Sequence, residues 1–556
     1  MIITEKKPLS EILENLKGLE KVLLIGCGDC AALAQTGGDK ELESLSINLT
    51  HAGKQVVGTL LSEGPCHNLR IKQELRGIAN EVEQADAVVV LSCGAGVQAV
   101  ADLVNQPVLP GLNSLFLGNV KRYGWFEEHC STCGECIIAD TGGICPVTRC
   151  AKSLVNGPCG GSKDGMCEVG GDRPCVWALI FERLKQQGRL ELLTKYQPMK
   201  DFERSIKPGI VDLRMENQDA RSERLATVMM DRQVRYLDSE FGQRNWQIKL
   251  EDVKPAGLTR LQTALEAGYF VQTAEIVPPK GVDVQTALEH ARSIKDYVVA
   301  VNVNENPASV MRLNSLSLSH LFVREGIEPI FHITTRERNR LALQSELLGA
   351  YVLGIRNVLV LTGDHQSMGD HKEAKPVYDL DSVQLLRLCT EMMGGKDYNG
   401  HDLDGIPSFY LGAVVNPGSD LPELQILKMR KKALAGARYF FTQAVYDLKV
   451  LENFMAQIRD LDVKILAGII PLKSAKMARF MNQNIPGINV PEHLIERMEK
   501  TSDRTAEAIA ICRELVDGCR SLCHGVHIMP IGWYSIVPRI FDPVSIPDQT
   551  QIAAPE

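Results

Sequence analysis

The sequence of 556 residues has no apolar run long enough to span a membrane. Its most apolar stretch, residues 87–104, contains Cys93, Gln98 and Asp102, and the N-terminal residues lack the apolar core of a secretory signal. Positive charge is not in excess either: the net charge is −8, which argues against binding nucleic acid through bulk positive charge. These absences predict a soluble cytoplasmic protein with no membrane span and no nucleic-acid partner.

The motifs of several enzyme classes are also missing. There is no Walker loop, no G-x-S-x-G elbow and no H-E-x-x-H, so NTPase, esterase and zincin functions have no support. Residues 26–30 are G-C-G-D-C rather than G-x-G-x-x-G, and this gives no dinucleotide fingerprint. The composition, 44% hydrophobic and 23% charged, is typical of a globular protein, and the length predicts three or four domain-sized units.

Cysteine, by contrast, is abundant and concentrated. Twelve of the 16 cysteines lie in the first third of the chain, where a disulfide framework fits a long cytosolic protein poorly. Metal ligation is the natural interpretation, because twelve divides into three sets of four, the ligand count of one [4Fe–4S] cluster or one structural zinc. The twelve are Cys27, Cys30, Cys66, Cys93, Cys130, Cys133, Cys136, Cys145, Cys150, Cys159, Cys167 and Cys175.

Residues 1–125 are predicted to form a small α/β domain, because short apolar strands alternate with helical segments. Cys27 and Cys30 follow the first predicted strand, Cys66 follows the second and Cys93 ends the third. Ligands gather beyond the carboxyl ends of parallel strands, so these four thiolates are predicted to meet there around a metal. The alternative is that they are small buried hydrophobic side chains.

Residues 126–190 contain the other eight of these cysteines, many glycines and few core-forming side chains. Burial alone cannot order such a segment, so bound metal must supply the order. Cys130, Cys133 and Cys136 have ferredoxin-like spacing, Cys145-Pro146 resembles the Cys-Pro that closes it, and the last four cysteines can supply a second set. We predict two iron–sulfur clusters here, with one cluster and one zinc, or two zincs, as alternatives.

A charged helical linker without catalytic signal is predicted for residues 191–255, followed by a (β/α)8 barrel over residues 256–545. Eight apolar segments of strand length recur there, separated by residues with helical periodicity, as expected for such a barrel. Polar residues at or near the segment ends are predicted to form the active site, which these barrels carry at the carboxyl ends of their strands. They are Glu275, Asn302, His332, Asp364, Asn416 and Gln443.

Several of these residues suit particular chemistry. Burial in its strand is predicted to raise the pKa of Glu275 so that it donates a proton near neutral pH, unless it forms a structural ion pair. Asp364 can approach a ligand beside Gly363 or cap a helix. Gln443 can pair with a heteroaromatic amide such as a pterin or make a core hydrogen bond. His332 can hold a flavin or phosphate, with a buried structural histidine as the alternative.

The second half, about residues 256–545, resembles the methylenetetrahydrofolate reductase family, whose members are flavin-dependent (β/α)8 barrels. The motifs that carry the resemblance are A-E-I-V-P-P, F-H-I-T, L-T-G-D, K-K-A-L-A-G-A, F-T-Q-A-V-Y-D and A-G-I-I-P-L, in the family's order. The first half resembles the cysteine-rich partner subunit of this reductase in acetogenic and other anaerobic bacteria, through C-S-x-C-G-x-C and N-G-P-C-G-G. The resemblance implies that the two are fused here in one chain.

The resemblance implies roles for individual residues. Glu275 is implied to be the acid that opens the imidazolidine ring of 5,10-methylenetetrahydrofolate, Asp364 to lie between flavin and pterin, and Gln443 to hold the pterin. Reduced flavin would then convert the methylene group to a methyl group. The implied flavin-binding residues are Asn302, His332, Thr362, Gly363, Asp364, Asn416 and Lys432.

Four positions depart from the family pattern: Thr362 replaces an arginine, Asn416 a histidine, Gln425 an aspartate and Ala475 a phenylalanine that stacks on NADH or folate. They leave FAD and FMN both open and weaken direct NADH binding. We therefore predict that electrons come from ferredoxin or a dehydrogenase subunit, through up to three [4Fe–4S] clusters, in an oligomeric protein. The alternatives are structural zinc with direct NADH reduction, a non-catalytic electron-transfer protein and a methyltransferase barrel.

Overall fold

The computed structural model describes residues 1–170, 173–205, 207–209 and 259–544, and the backbone divides into two compact units, Met1–Cys133 and Gly134–Glu556. The predicted linker lies outside the described residues from position 210 onward.

The first unit contains a parallel and an antiparallel sheet. Its strands are β1 (Ile2–Lys6), β2 (Lys21–Cys27), β3 (Gln55–Ser62), β4 (Ala87–Leu91), β5 (Val108–Pro110), β6 (Leu112–Arg122) and β7 (Trp125–Cys130). The order is β3-β2-β4-β5 in the parallel sheet and β1-β6-β7 in the antiparallel one. The helices are α1 (Leu9–Asn15), α2 (Cys30–Leu33), α3 (Asp39–His51), α4 (Asn68–Gly77), α5 (Ala79–Gln84) and α6 (Gly94–Ala101).

Strands β2 and β4 are apolar along nearly their whole length because both faces of the parallel sheet are covered. Leu24 packs in one apolar cluster with side chains of α1 and α3, and its neighbour Leu23 packs in another with side chains of α4 and α6. The predicted small α/β region is confirmed.

Eight parallel strands of the second unit close into a barrel. They are β8 (Val271–Ile276), β9 (Ala300–Val303), β10 (Pro329–Thr334), β11 (Asn357–Leu361), β12 (Tyr410–Val415), β13 (Tyr439–Ala444), β14 (Lys464–Ile469) and β15 (Gly525–Ile528). Each strand lies in one of the eight apolar segments identified in the sequence, in the same order, so the predicted (β/α)8 barrel is confirmed.

Helices surround the barrel. They are α9 (Arg260–Glu266), α10 (Gln285–Ile294), α11 (Ser315–Arg324), α12 (Arg340–Val352), α13 (Ser382–Met393), α14 (Pro422–Leu434), α15 (Leu448–Gln457), α16 (Ala475–Asn484), α17 (Glu492–Lys500), α18 (Arg504–Cys519) and α19 (Val537–Ile540). Among the residues that the structure describes, none of the helices combines the length and apolar composition needed to cross a bilayer.

The amino-terminal half of the barrel interior is a packed core. Tyr410 and Tyr439 stack there with ring centroids 4.9 Å apart, and a Cβ atom at Gly412 would lie 2.3 Å from the Tyr439 ring. Glycine at position 412 therefore makes room for the tyrosine. Because large side chains fill this half, a ligand has space only at the carboxyl ends of the strands.

The cysteine-rich residues 134–205 pack against the barrel. Their helices α7 (Pro146–Arg149) and α8 (Val176–Gln186) precede the barrel in the chain, and Trp177 of α8 shares an apolar cluster with Leu424 of α14. Buried polar contacts reinforce this packing: the Asn156 backbone N–H donates to Asp381 Oδ2 (2.9 Å), and the Asn156 side chain donates to the Gln197 carbonyl (2.9 Å).

We predict that Asp381→Ala loosens this segment. Asp381 also caps α13 by accepting from the Val383 and Gln384 N–H groups, so the substitution removes a cap and leaves the buried Asn156 N–H unpaired. The cost should be about 2–4 kcal/mol. Hydrogen exchange of residues 154–160, followed by mass spectrometry, should become faster.

Asp503→Ala is the matched control. Asp503 caps α18 through two N–H groups but makes no contact with residues 134–205 among the bonds described, so it should cost only about 1 kcal/mol and leave that exchange unchanged. Equal exchange rates in the two variants would contradict the prediction.

Candidate active site

The polar side chains predicted from the strand ends lie at the carboxyl end of the barrel. Glu275, Asn302, His332 and Gln443 are on β8, β9, β10 and β13, whereas Asp364 and Asn416 follow β11 and β12. Glu275 is the register partner of Asn302 on the neighbouring strand. Strand closure thus brings residues that are distant in the chain to one rim.

Glu275 is held by two residues that the sequence reasoning missed. Asn304 donates from Nδ2 to Glu275 Oε2 (3.0 Å), and His527 Nε2 lies 3.8 Å from the same oxygen. Desolvation acts to raise the pKa of Glu275, but His527 and Asn304 outweigh it, so the pKa is lowered. The prediction of a raised pKa was wrong, because strand position indicates burial without identifying the cross-strand partners. His527 lies in the eighth predicted strand and was identifiable as an inward-facing histidine.

His332 and Asn302 form a buried pair beside Glu275. Asn302 Nδ2 lies 3.1 Å from His332 Nε2, and because an amide nitrogen only donates, this imidazole nitrogen accepts. Burial lowers the pKa of His332 to about 3, so the ring is neutral at physiological pH. Asn302 Oδ1 is buried and has no partner within the described structure, which leaves an acceptor for a ligand.

Two cationic side chains meet at the turn of Gly363 and Asp364. Arg336, fully buried, donates from Nη1 to the Asp364 carbonyl (3.0 Å), and Lys152 of the cysteine-rich segment donates from Nζ to the Gly363 carbonyl (2.8 Å). The sequence reasoning found no arginine here because position 362 is threonine. The loop after β10 supplies one instead.

The loop after β9 orients the Asp364 carboxylate. The Ala308 N–H donates to Asp364 Oδ2 (2.9 Å). Asn306, Ala308 and Ser309 have φ angles of 39°, 53° and 57°, a left-handed conformation that is costly for residues other than glycine. Backbone strain is therefore concentrated where the loop contacts this carboxylate.

Helix α14 presents three buried lysines, and each donates to backbone carbonyls. Lys428 donates to Gly157 and Pro158, Lys431 to Lys195, and Lys432 to Val414. Burial, followed by the Lys428 charge, lowers the pKa of Lys432 to about 7. None of the three has an ion pair with a carboxylate in the described part of the chain, so an anion bound nearby would be strongly attracted.

Two positions that depart from the resembled pattern contact the cysteine-rich segment. Asn416 donates from Nδ2 to the Gly160 carbonyl (3.0 Å), and a Cβ atom at Gly160 would lie 3.3 Å from Gln425 Oε1. The Gln425 Nε2 atom is buried without a partner among the described residues. Gln443 lies at the same rim and accepts from the Ala444 N–H through Oε1 (3.1 Å).

The four cysteines of residues 1–125 that are predicted to bind one metal lie at or after the carboxyl ends of strands in the parallel sheet of the first unit. Cys27 ends β2, Cys30 begins α2, Cys66 follows β3, and Cys93 precedes α6 after β4. These are the carboxyl ends of three adjacent strands, as the sequence predicted. Cys130 and Cys133 also belong to this unit, whereas Cys136 and Cys145 belong to the second.

The last four cysteines, Cys150, Cys159, Cys167 and Cys175, include pairs close enough for the charge of one thiol to affect the pKa of another. Desolvation raises the pKa of Cys150, and Cys167 and Cys175 raise it further; the pKa of Cys159 is likewise raised by desolvation and then by Glu168 and, less, by Cys150. In the described ranges, no group of three or more histidine, cysteine or acidic side chains is arranged to hold a metal ion. The metal assignments of all twelve cysteines therefore stay predictions.

A buried ion pair connects the last four cysteines with the Gly363 turn. Lys152 pairs with Glu168, and the Cys159 thiol lies 3.7 Å from Glu168 Oε1. Burial opposes the charge of Lys152, but Cys159 and Glu168 together raise its pKa above the usual range. Lys152 thus touches both the cysteine environment and the barrel rim.

Two protein-family models match the chain. The model described as Methylenetetrahydrofolate reductase matches residues 260–543, and the model described as Methylene-tetrahydrofolate reductase C terminal matches residues 109–203.

Three curated proteins are similar to this chain. A probable methylenetetrahydrofolate reductase (NADPH) of Caenorhabditis elegans is 23% identical over 279 residues, 46% of this chain and 40% of that protein. Methylenetetrahydrofolate reductase 2 of Schizosaccharomyces pombe is 26% identical over 215 residues, 36% and 33% of the two chains. The 5,10-methylenetetrahydrofolate reductase of Buchnera aphidicola is 22% identical over 253 residues, 44% and 78%. The chain thus spans 40% or less of the length of the first two relatives.

We predict that His332 makes the protein acid-sensitive. The unfolded histidine has a pKa of about 6.5, whereas the folded value is about 3. Between these values the unfolded chain binds a proton that the folded chain does not, so stability is lost as the pH falls below about 6.5. His332→Gln keeps an acceptor for Asn302 and removes this proton. From pH 6 to pH 4 the unfolding free energy of the variant should fall more gently, by up to about 1.4 kcal/mol per pH unit.

Urea unfolding at each pH measures the effect. His51→Gln, at an exposed histidine with no ion pair among the described residues, should follow the unsubstituted protein. Parallel pH dependence for His332→Gln and the unsubstituted protein would show that His332 makes no such contribution.

Proposed function

The chain belongs to the methylenetetrahydrofolate reductase family, and on this premise we propose that it reduces 5,10-methylenetetrahydrofolate to 5-methyltetrahydrofolate with a bound flavin. The observation that carries the proposal is the position of Glu275 at the carboxyl-terminal rim of the barrel, where 14% of its side chain is exposed. The amino-terminal half of the barrel is filled by side chains, so a ligand can reach this carboxyl group only from the rim. Asp364 and Gln443 lie at the same rim and supply the charge and the amide that a folate requires.

The proposed reaction begins with a proton from Glu275. Protonation of substrate N10 lets its bond to the bridging methylene carbon break, with the electron pair staying on N10, and leaves a cationic iminium at N5. The Asp364 carboxylate stabilises this cation electrostatically. Bound reduced flavin would supply the hydride that completes the methyl group. Gln443 would hold the pterin through its amide.

The rim has groups that fit a flavin. Asn302 Oδ1, Asn304 Oδ1 and Gln425 Nε2 are buried polar atoms without partners in the described chain, and buried polar atoms are normally satisfied. Burial lowers the pKa of Lys432 to about 7, and a flavin phosphate bound beside it would favour its charged form. We assign flavin binding to Asn302, His332, Thr362, Gly363, Asp364, Asn416 and Lys432; the groups suit either FAD or FMN.

We further propose that electrons arrive through [4Fe–4S] clusters on the twelve cysteines, from ferredoxin or a dehydrogenase subunit. The main support is that Lys152 links the surroundings of Cys159 to the Gly363 turn, which would bring one cluster close to the flavin site. Burial lowers the pKa of Lys428, a second buried lysine, whereas the charges of Asp381 and then Cys159 act to raise it. Cations of this kind favour an anionic cluster and its further reduction.

Direct NADH reduction is less well supported. The small Ala475 side chain offers no ring for stacking, and the cysteine-rich segment is attached along the same side of the barrel. Lys163 donates to the carbonyls of Asn482 and Gln483 in the last turn of α16, and the Gly165 N–H donates to Asp420 (3.2 Å). A nicotinamide nucleotide approaching from this side would have to displace the segment.

Glu275→Gln tests the reduction. The amide keeps the size and the Asn304 contact but cannot donate an acidic proton, so oxidation of pre-reduced flavin by 5,10-methylenetetrahydrofolate should slow by at least about 100-fold. Stopped-flow absorbance of the flavin measures this rate. Glu496→Gln, at an exposed carboxyl group of α17, is the control and should remain within about threefold. An unchanged rate in Glu275→Gln would remove the proposed acid.

Metal analysis of anaerobically purified protein tests the electron route. We expect up to about twelve irons with equal acid-labile sulfide per chain, and flavin that reduced ferredoxin reduces faster than NADH. Cys159→Ser should lose about four irons, whereas Cys389→Ala, at a cysteine buried within α13, should lose none. One to three zincs without sulfide, together with rapid reduction by NADH, would replace this route with the structural-zinc alternative.

A further inference from the structure

Glu275 has a histidine partner that the proposed reaction leaves without a role. His527 is 4% exposed, and its Nε2 lies 3.8 Å from Glu275 Oε2. The ring stands on β15, the strand that closes the barrel against β8. The two side chains therefore face each other across the last seam of the barrel.

The other side of the imidazole is held by Thr273. The Thr273 hydroxyl lies 3.0 Å from His527 Nδ1 and 3.3 Å from the Val526 carbonyl. A carbonyl only accepts, so the hydroxyl donates to Val526 and receives the N–H of His527 Nδ1. In the neutral ring this places the lone pair of Nε2 toward Glu275, and in the charged ring it places an acidic N–H there.

We propose that His527 stores the proton that Glu275 delivers to the substrate. This inference rests on the proposed reductase function and adds a positioning residue to it. The pair holds one proton in the resting site, on Nε2, while Glu275 is a carboxylate. Contacts of this length in unliganded enzymes tighten when the substrate binds.

The proton balance is simple. On substrate binding, the proton moves from His527 Nε2 to Glu275, and Glu275 passes it to N10 as the bond from N10 to the methylene carbon breaks. The pair is then a neutral imidazole and a carboxylate. Hydride transfer completes the methyl group, the product leaves, and one proton from solvent returns to Nε2. Each turnover thus consumes one proton and one hydride, as the reduction requires.

The residues around the pair favour His527, rather than another side chain, as the group that holds the proton for Glu275. The charged or titratable groups that face the pair are His332 on β10, which is neutral, and Tyr534, whose hydroxyl accepts from the Val277 N–H (3.2 Å). The Phe441 ring covers His527 from β13, with centroids 4.7 Å apart. His527 is therefore the one basic side chain in the described site with a nitrogen beside the Glu275 carboxyl, 3.8 Å from Oε2.

His527→Gln tests the proposal, because glutamine can donate a hydrogen bond to Glu275 but cannot store a proton. Glu275 must then hold its own proton, so flavin oxidation by 5,10-methylenetetrahydrofolate should fall at least about tenfold at pH 8 and stay within about threefold at pH 6. The alkaline limb of the pH–rate profile should move down by about one unit or more. His524→Gln, at a histidine just before β15, should keep the original profile.

Infrared difference spectroscopy gives a readout that does not require turnover. Loss of the His527 cation should raise the pH at which the Glu275 carboxyl titrates, and the band is identified by its absence in Glu275→Gln. A uniform loss of rate at every pH, with an unchanged carboxyl titration, would overturn the proposal. If the unsubstituted protein does not reduce the folate at all, the reductase function fails, while the infrared titration still decides whether the pair exists.

Discussion

Closure of eight parallel strands into one barrel is the constraint on which the candidate site depends. Parallel strands end at a common rim, so residues far apart in the chain become neighbours there; Thr273 and His527, 254 positions apart, share a hydrogen bond. Inward-facing positions alternate along each strand, and their lower layers are filled by rings such as Tyr439. Only the upper layer is left for polar side chains, which is why acid, amide and imidazole groups accumulate at one end.

Besides apolar packing and the Asn156–Asp381 bond, buried lysines that donate to backbone carbonyls attach the cysteine-rich segment to this rim. Lys152 reaches from the segment to Gly363, whereas Lys428 and Lys431 reach from α14 back to the segment. Burying an ammonium group is costly, and carbonyl oxygens offset only part of that cost. The arrangement therefore concentrates positive potential between the segment and the barrel, where an electron-carrying or phosphate-bearing group would add negative charge.

Sequence periodicity was sufficient to predict the strands of the barrel and the polar residues at their ends, because the pattern within one strand indicates which of its residues are buried. Periodicity could not predict which residues of different strands and loops contact each other. The lowered pKa of Glu275 depends on His527 and Asn304, and the cationic turn at Gly363 depends on Arg336 from another loop. Such contacts follow from strand register and loop course, which no single segment contains. The cysteine spacing likewise indicates sets of ligands without deciding which metal they bind.

The cysteine-rich segment and the barrel belong to one chain, and this lowers the free energy of association that the interface between them has to supply. Separate subunits must offset the loss of translational and rotational freedom on association, usually through a large apolar surface. Residues 134–205 and the barrel belong to one chain, so each is present at a high effective concentration relative to the other. An interface of apolar clusters, buried hydrogen bonds and lysine–carbonyl bonds can then stay closed at any protein concentration, because dilution does not separate two segments of one chain.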